Sequence, residues 1–223
     1  MNKPNRAALV ALIAALVVTY ATASNAFTKD SPSMTQASTN HVSTPSSHEQ
    51  ADRRAVTIDG ESAVLTRYIR SDGRNAGPGG EHFSTLVSEA GVLKGFANMS
   101  LDLVGKPLPS RERTEQIARA FLQTQAPDLL ESMKISWIEP HDEPLKVTRD
   151  GLEKTVPLTG MKVKARNLKD GRWFWVIVGS DEQPMVFERD IIWITFPGKR
   201  KTEKWLHDNW LAEQQANAAT TRL

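Results

Sequence analysis

Arg172-Trp173-Phe174-Trp175-Val176-Ile177-Val178 is apolar at every position after its first. A short run with no polar face must be covered on both sides, which places it at the centre of a sheet. Just upstream, Met161, Val163 and Ala165 alternate with Lys162, Lys164 and Arg166. That is the period of a strand with one buried face and one solvated one. Asp170-Gly171 supplies a hairpin turn between these strands, and a second turn at 180–184 leads into an apolar run over 185–196.

The pattern continues outward. Residues 64–70 carry the β-branched and aromatic content of a strand, closed by Ser71-Asp72-Gly73. The glycine-rich loop at 75–80 is followed by no Lys-Ser/Thr pair, so it is not a phosphate-binding P-loop. Residues 83–87 and 92–103 read as further strands of a meander. Ser110 then caps a helix in which Thr114, Ile117, Ala118, Phe121 and Gln125 recur at helical spacing, and Pro127 ends it. Met133, Ile135 and Trp137 alternate as a strand. The stretch 139–157 is polar, holds three prolines and reads as an irregular insertion. Pro197-Gly198 closes the sheet, and Thr202 can cap a short helix holding Trp205, Leu206, Trp210 and Leu211. The expected fold class is α+β: an antiparallel sheet of about six or seven strands packed by one main helix, with a short C-terminal helix.

The N-terminus reads as an address. Lys3 and Arg6 precede an apolar run over 7–21, and Ser24-Asn25-Ala26 offers small residues for cleavage, the layout of a secretory signal peptide over residues 1–26. The 223 residues hold 28 Lys and Arg against 26 Asp and Glu; without Lys3 and Arg6 the balance is 26 to 26, which does not suggest a cationic nucleic-acid binder. There is no cysteine, so disulfides, thiolate metal sites and a Cys nucleophile are excluded. From Thr28 to Glu49 ten of 22 residues are Ser or Thr, too little apolar surface to offset ordering entropy. The expected organisation is a disordered linker over 27–60, one domain over 61–213 and a flexible tail over 214–223. The expected location is the periplasm or the medium after cleavage.

Gly91-Val92-Leu93-Lys94-Gly95-Phe96, then Leu108-Pro109-Ser110, then Gln116-Ile117-Ala118-Arg119-Ala120-Phe121-Leu122 resembles the PepSY-like modules of bacterial envelope proteins, and 161–190 looks like their closing strands. The likeness spans about residues 91–190. Ile117 beside Ala118, the insertion at 139–157 and the basic C-terminal segment depart from the family pattern. The resemblance implies a noncatalytic binding or inhibitory role, often towards peptidases, and supplies no active site to carry over.

Several side chains are candidates for chemistry. His141, Asp142 and Glu143 between Pro140 and Pro144 present nitrogen and oxygen donors on one turn, which His82 or Glu81 would have to complete to hold a metal or run a hydrolase. No H-E-x-x-H or G-x-S-x-G pattern accompanies them. Lys199, Arg200 and Lys201, with Lys204, Trp205 and Trp210 nearby, form a cationic and aromatic patch suited to an anionic lipid or polymer, or else a terminal helix anchored by its tryptophans. Trp173 and Trp175 share a face with Ile177 that is either core or an aromatic binding surface. The leading expectation is a noncatalytic module that binds an envelope protein, a peptidase among the candidates, with no cofactor, no nucleic acid and membrane contact only through the leader. A weakly marked hydrolase and a binder of anionic surfaces are the alternatives.

Overall fold

The structure is a computed structural model that describes residues 42–220. The leader assigned to 1–26 and residues 27–41 of the expected linker lie outside the described residues.

Eight antiparallel strands form one sheet: β1 His48–Ile58, β2 Glu61–Arg70, β3 His82–Ser88, β4 Leu93–Met99, β5 Met133–Arg149, β6 Leu152–Asn167, β7 Trp173–Val178 and β8 Pro184–Ile191. Their spatial order is β1-β2-β3-β4-β8-β7-β6-β5. The sheet is thus two four-stranded meanders joined where β4 pairs with β8. Between the meanders run a 3-10 turn at Leu101–Leu103, α1 Arg111–Gln125 and the one-turn α2 Pro127–Leu130. A two-stranded hairpin, β9 Trp193–Ile194 with β10 Lys199–Arg200, and α3 Asp208–Thr220 complete the described chain.

This corrects the expected class. Among the described residues strands make up 49% and helices only 18%, so this part of the chain is mostly sheet rather than α+β, and the sheet has eight strands rather than six or seven. Two elements account for the difference. The polar segment at 48–58, expected to be disordered, is edge strand β1, held in register from His48↔Arg70 to Ile58↔Glu61. The proline-broken insertion at 139–157 is the distal half of the β5–β6 hairpin, paired through Arg149↔Leu152. Pro140 and Pro144 are tolerated because β5 is an edge and needs no amide donors on its outer side. At the C-terminus, the helix begins at Asp208 rather than near Thr202, and it runs through the expected tail to Thr220.

The sheet is buried on both faces. One face carries Phe83, Phe96, Phe174, Val176, Val178 and Phe187 under Ala118, Phe121 and Leu122 of α1. Ser110 fixes the start of that helix, its hydroxyl accepting the Arg113 N–H at 3.2 Å. The other face carries Leu65, Leu86, Ala97, Trp175, Ile177 and Val186, covered by Leu206 of the C-terminal segment. β7 serves both layers, buried at every position from Phe174 to Val178. On this second face the sheet curls: the Lys146 N–H donates to the Gly79 carbonyl at 2.8 Å, and the Thr148 N–H donates to Asn75 Oδ1 at 3.1 Å. The far end of the β5–β6 hairpin therefore meets the β2–β3 loop across the concave side.

Candidate binding cleft

The C-terminal segment straps the concave face without filling it. It is tied just past the end of β8 by the Lys201 N–H to the Ile192 carbonyl at 2.9 Å, at β1 by the Trp205 indole N–H to the Thr57 carbonyl at 2.8 Å, and at the β2–β3 loop by Asp208. Between strap and sheet lies a cleft of about 400 Å³. Its floor is Ala97, Met99, Trp175, Val186 and Leu206, and its rim includes Glu143, Lys146, Lys204, His207, Trp193 and Trp210.

Two buried polar clusters build the walls. Glu188, 3% exposed, accepts from His207 Nε2 at 2.9 Å and pairs with the Arg200 guanidinium at 2.6 Å. Burial alone would raise its pKa, but Arg200 and His207 outweigh that and hold the carboxyl well below the usual range. Burial likewise disfavours the charged form of His207, yet Glu188 and, more weakly, Glu143 at 3.8 Å from Nδ1 raise its pKa. The second cluster is Asp208, which accepts both guanidinium N–H groups of Arg67 at 2.6 and 2.8 Å and the Gly79 N–H at 2.6 Å. His82 stands beside it at 4.0 Å. Its Nδ1 lies 2.8 Å from the Gly80 carbonyl, which only accepts, so Nδ1 carries the proton and the buried Nε2 has no partner. Burial first, then the neighbouring Arg67 charge, push the His82 pKa down to about 4, leaving a neutral imidazole.

All six tryptophans lie on this side of the sheet. Trp173, Trp175 and Trp205 pack in the second core layer, Trp193 and Trp210 line the cleft, and Trp137 shares the Lys164 ammonium with Trp173 and Trp193. Lys164 Nζ stands 4.7 Å from the Trp173 centroid, 5.6 Å from Trp137 and 5.7 Å from Trp193. Lys162, expected on the solvent side, is buried instead, 4.1 Å above the Trp175 ring, and burial lowers its pKa. The alternation on β6 is real, but Lys162 and Lys164 on its polar face pack over tryptophans, and only Arg166 is exposed to water.

The structure separates the candidate residues. Trp175 is core at 7% exposure, with Trp173 packed against the same layer. Arg200 faces inward to Glu188, while Lys199 and Lys201 are exposed. His82, His141 and Asp142 do not converge: His82 bonds Gly80, His141 Nε2 lies 3.3 Å from Glu143 and 3.4 Å from Lys162, and Asp142 accepts from Thr159 at 2.6 Å. Among the described residues no group of three His, Asp or Glu is placed to hold a metal ion. Glu81 accepts from Arg74, from Asn75 and from the Leu101 N–H, so its lone pairs pin the β2–β3 loop. Glu188, His207 and Asp208 escaped the sequence reading. Glu188 alone left a trace, as a carboxylate inside the apolar run Met185-Val186-Phe187-Glu188.

Among the described residues no helix is long and apolar enough to cross a membrane. Comparison of the chain with protein-family models, with curated proteins and with solved structures gives no match in any of the three.

Proposed function

We propose that this chain is a noncatalytic binding module that acts on another protein of the cell envelope, and that the cleft under the C-terminal strap receives a segment of that partner. The observation that carries the reading is the cleft itself: about 400 Å³ with an apolar floor and a charged rim. A volume near the lower end of the small-ligand range, about 300–1,000 Å³, takes one or two partner side chains rather than a domain. The rim favours binding over turnover. Glu188, Arg200 and His207 are committed to one another, Asp208 to Arg67, and Lys146 to Glu153 at 3.0 Å. Such pairing leaves a wall of balanced charge, suited to a peptide that is neutral overall and offers an apolar side chain to Trp175 and Leu206. The leader pattern at 1–26 supports export, and the PepSY-like likeness over 91–190 supports a peptidase as the partner class.

The test is capture from an envelope fraction with the full chain tagged at its C-terminus, beside Trp210→Ala. Trp210 stands at the rim, 4.8 Å from Trp205, so its truncation reshapes the cleft without opening the core. One protein retained in stoichiometric amount by the wild type, and lost from a variant of unchanged melting temperature, is the expected result. Equal retention by both chains, or no retained protein, overturns the reading.

A further inference from the structure

The β9–β10 hairpin presents the most exposed large apolar side chain of the described residues. Phe196 at its tip is 90% exposed and Trp193 at its base 48%. From Ile191 to Thr202 the chain holds three cationic residues and no acidic one. The three cations are not equivalent. Arg200 turns inward to Glu188, while Lys199 and Lys201 stay exposed with no ion-pair partner among the described residues.

The hairpin is also held firmly at its base. The Ile192 N–H donates to Thr202 Oγ1 at 2.8 Å, the Lys201 N–H donates to the Ile192 carbonyl at 2.9 Å, and Arg200 donates to the Thr202 and Glu203 carbonyls at 3.0 and 2.8 Å. A braced tip that offers an aromatic ring to water gains nothing in the isolated molecule. Two free lysines beside it match a surface that is apolar within and anionic at its border, which is an anionic bilayer.

We propose that the β9–β10 hairpin docks the protein on anionic membrane, Phe196 entering the interface while Lys199 and Lys201 meet the lipid phosphates. The cleft mouth, lined by Trp193 from the same hairpin, would then face the membrane border. The docking stands apart from what the cleft holds.

The experiment is cosedimentation of the full chain with phosphatidylcholine vesicles, with and without phosphatidylglycerol. Residues 1–41 are common to every variant. Phe196→Ala lowers the partition coefficient on phosphatidylglycerol vesicles about tenfold, the order expected for losing one buried aromatic ring. Lys199→Glu with Lys201→Glu lowers it by at least about fivefold per lysine and removes the preference for phosphatidylglycerol. Melting temperatures stay unchanged, since the three side chains are exposed. Three results overturn the proposal: equal partition of wild type and Phe196→Ala, loss on charge reversal alone, or an effect of Phe196→Ala confined to capture of a protein.

Discussion

His82 is enclosed as a neutral imidazole, 3% exposed, with Nδ1–H donating to Gly80 and nothing on Nε2. Its pKa of about 4 lies below the value of about 6.5 expected in the unfolded chain. Between those values the unfolded state binds the proton and the folded state does not, so stability falls as pH drops from about 6.5 to about 4. A shift of that size corresponds to about 3 kcal/mol. Urea unfolding at pH 7 and at pH 4.5 therefore shows a loss in the wild type that is markedly smaller in His82→Asn. An equal loss in both would show that His82 is not the group responsible. His207 acts in the opposite sense. Its pKa is raised, so its contribution is present below pH about 6.5 and is lost as pH climbs through the raised value. Glu188 shows why single residues were hard to read from the sequence. A buried carboxylate is tolerated only with its partners in place, and its partners Arg200 and His207 lie 12 and 19 positions further along the chain, with no local pattern that ties them to it.

At the scale of elements, the two meanders are joined by only three register pairs, Gly95↔Glu188, Phe96↔Phe187 and Ala97↔Val186. Gly95 sits at this seam because a Cβ there would lie 2.6 Å from the Phe187 carbonyl oxygen and 2.7 Å from Leu206. Gly95→Ala thus pushes on the seam and on the strap together, and costs about 1–3 kcal/mol in chemical unfolding, the usual range for overpacking. Gly77→Ala, with nothing within 4 Å, stays within about 0.5 kcal/mol. A neutral Gly95→Ala would mean the seam is looser than its geometry. The central elements were legible because β7 is apolar on both faces and β6 alternates, and those periods survive in the structure. The edges were not. β1 is held by backbone bonds to β2 and leaves most of its side chains in water, so its composition reads as a spacer. In β5 the prolines that suggested a break lie on the unpaired side of an edge strand.

At the scale of the whole molecule, curvature makes the site, and curvature has no local signature in sequence. The bonds from Lys146 to Gly79 and from Thr148 to Asn75 join residues about 70 positions apart and bend the far end of the hairpin over the second face. The strap then closes over it, so that Trp175, Leu206, His207 and Trp210 share one cleft. The six tryptophans are spread from position 137 to 210, and no local pattern says that every one of them belongs to a single side. The central claim is that this side, and not the α1 layer, receives the partner. The most direct measurement places a photo-crosslinking residue at Lys204, in the cleft, and separately at Arg119, on the exposed side of α1, in the full chain. The account predicts one discrete protein adduct from position 204 and none from position 119. Adducts from 119 alone, from both positions alike, or from neither would contradict it.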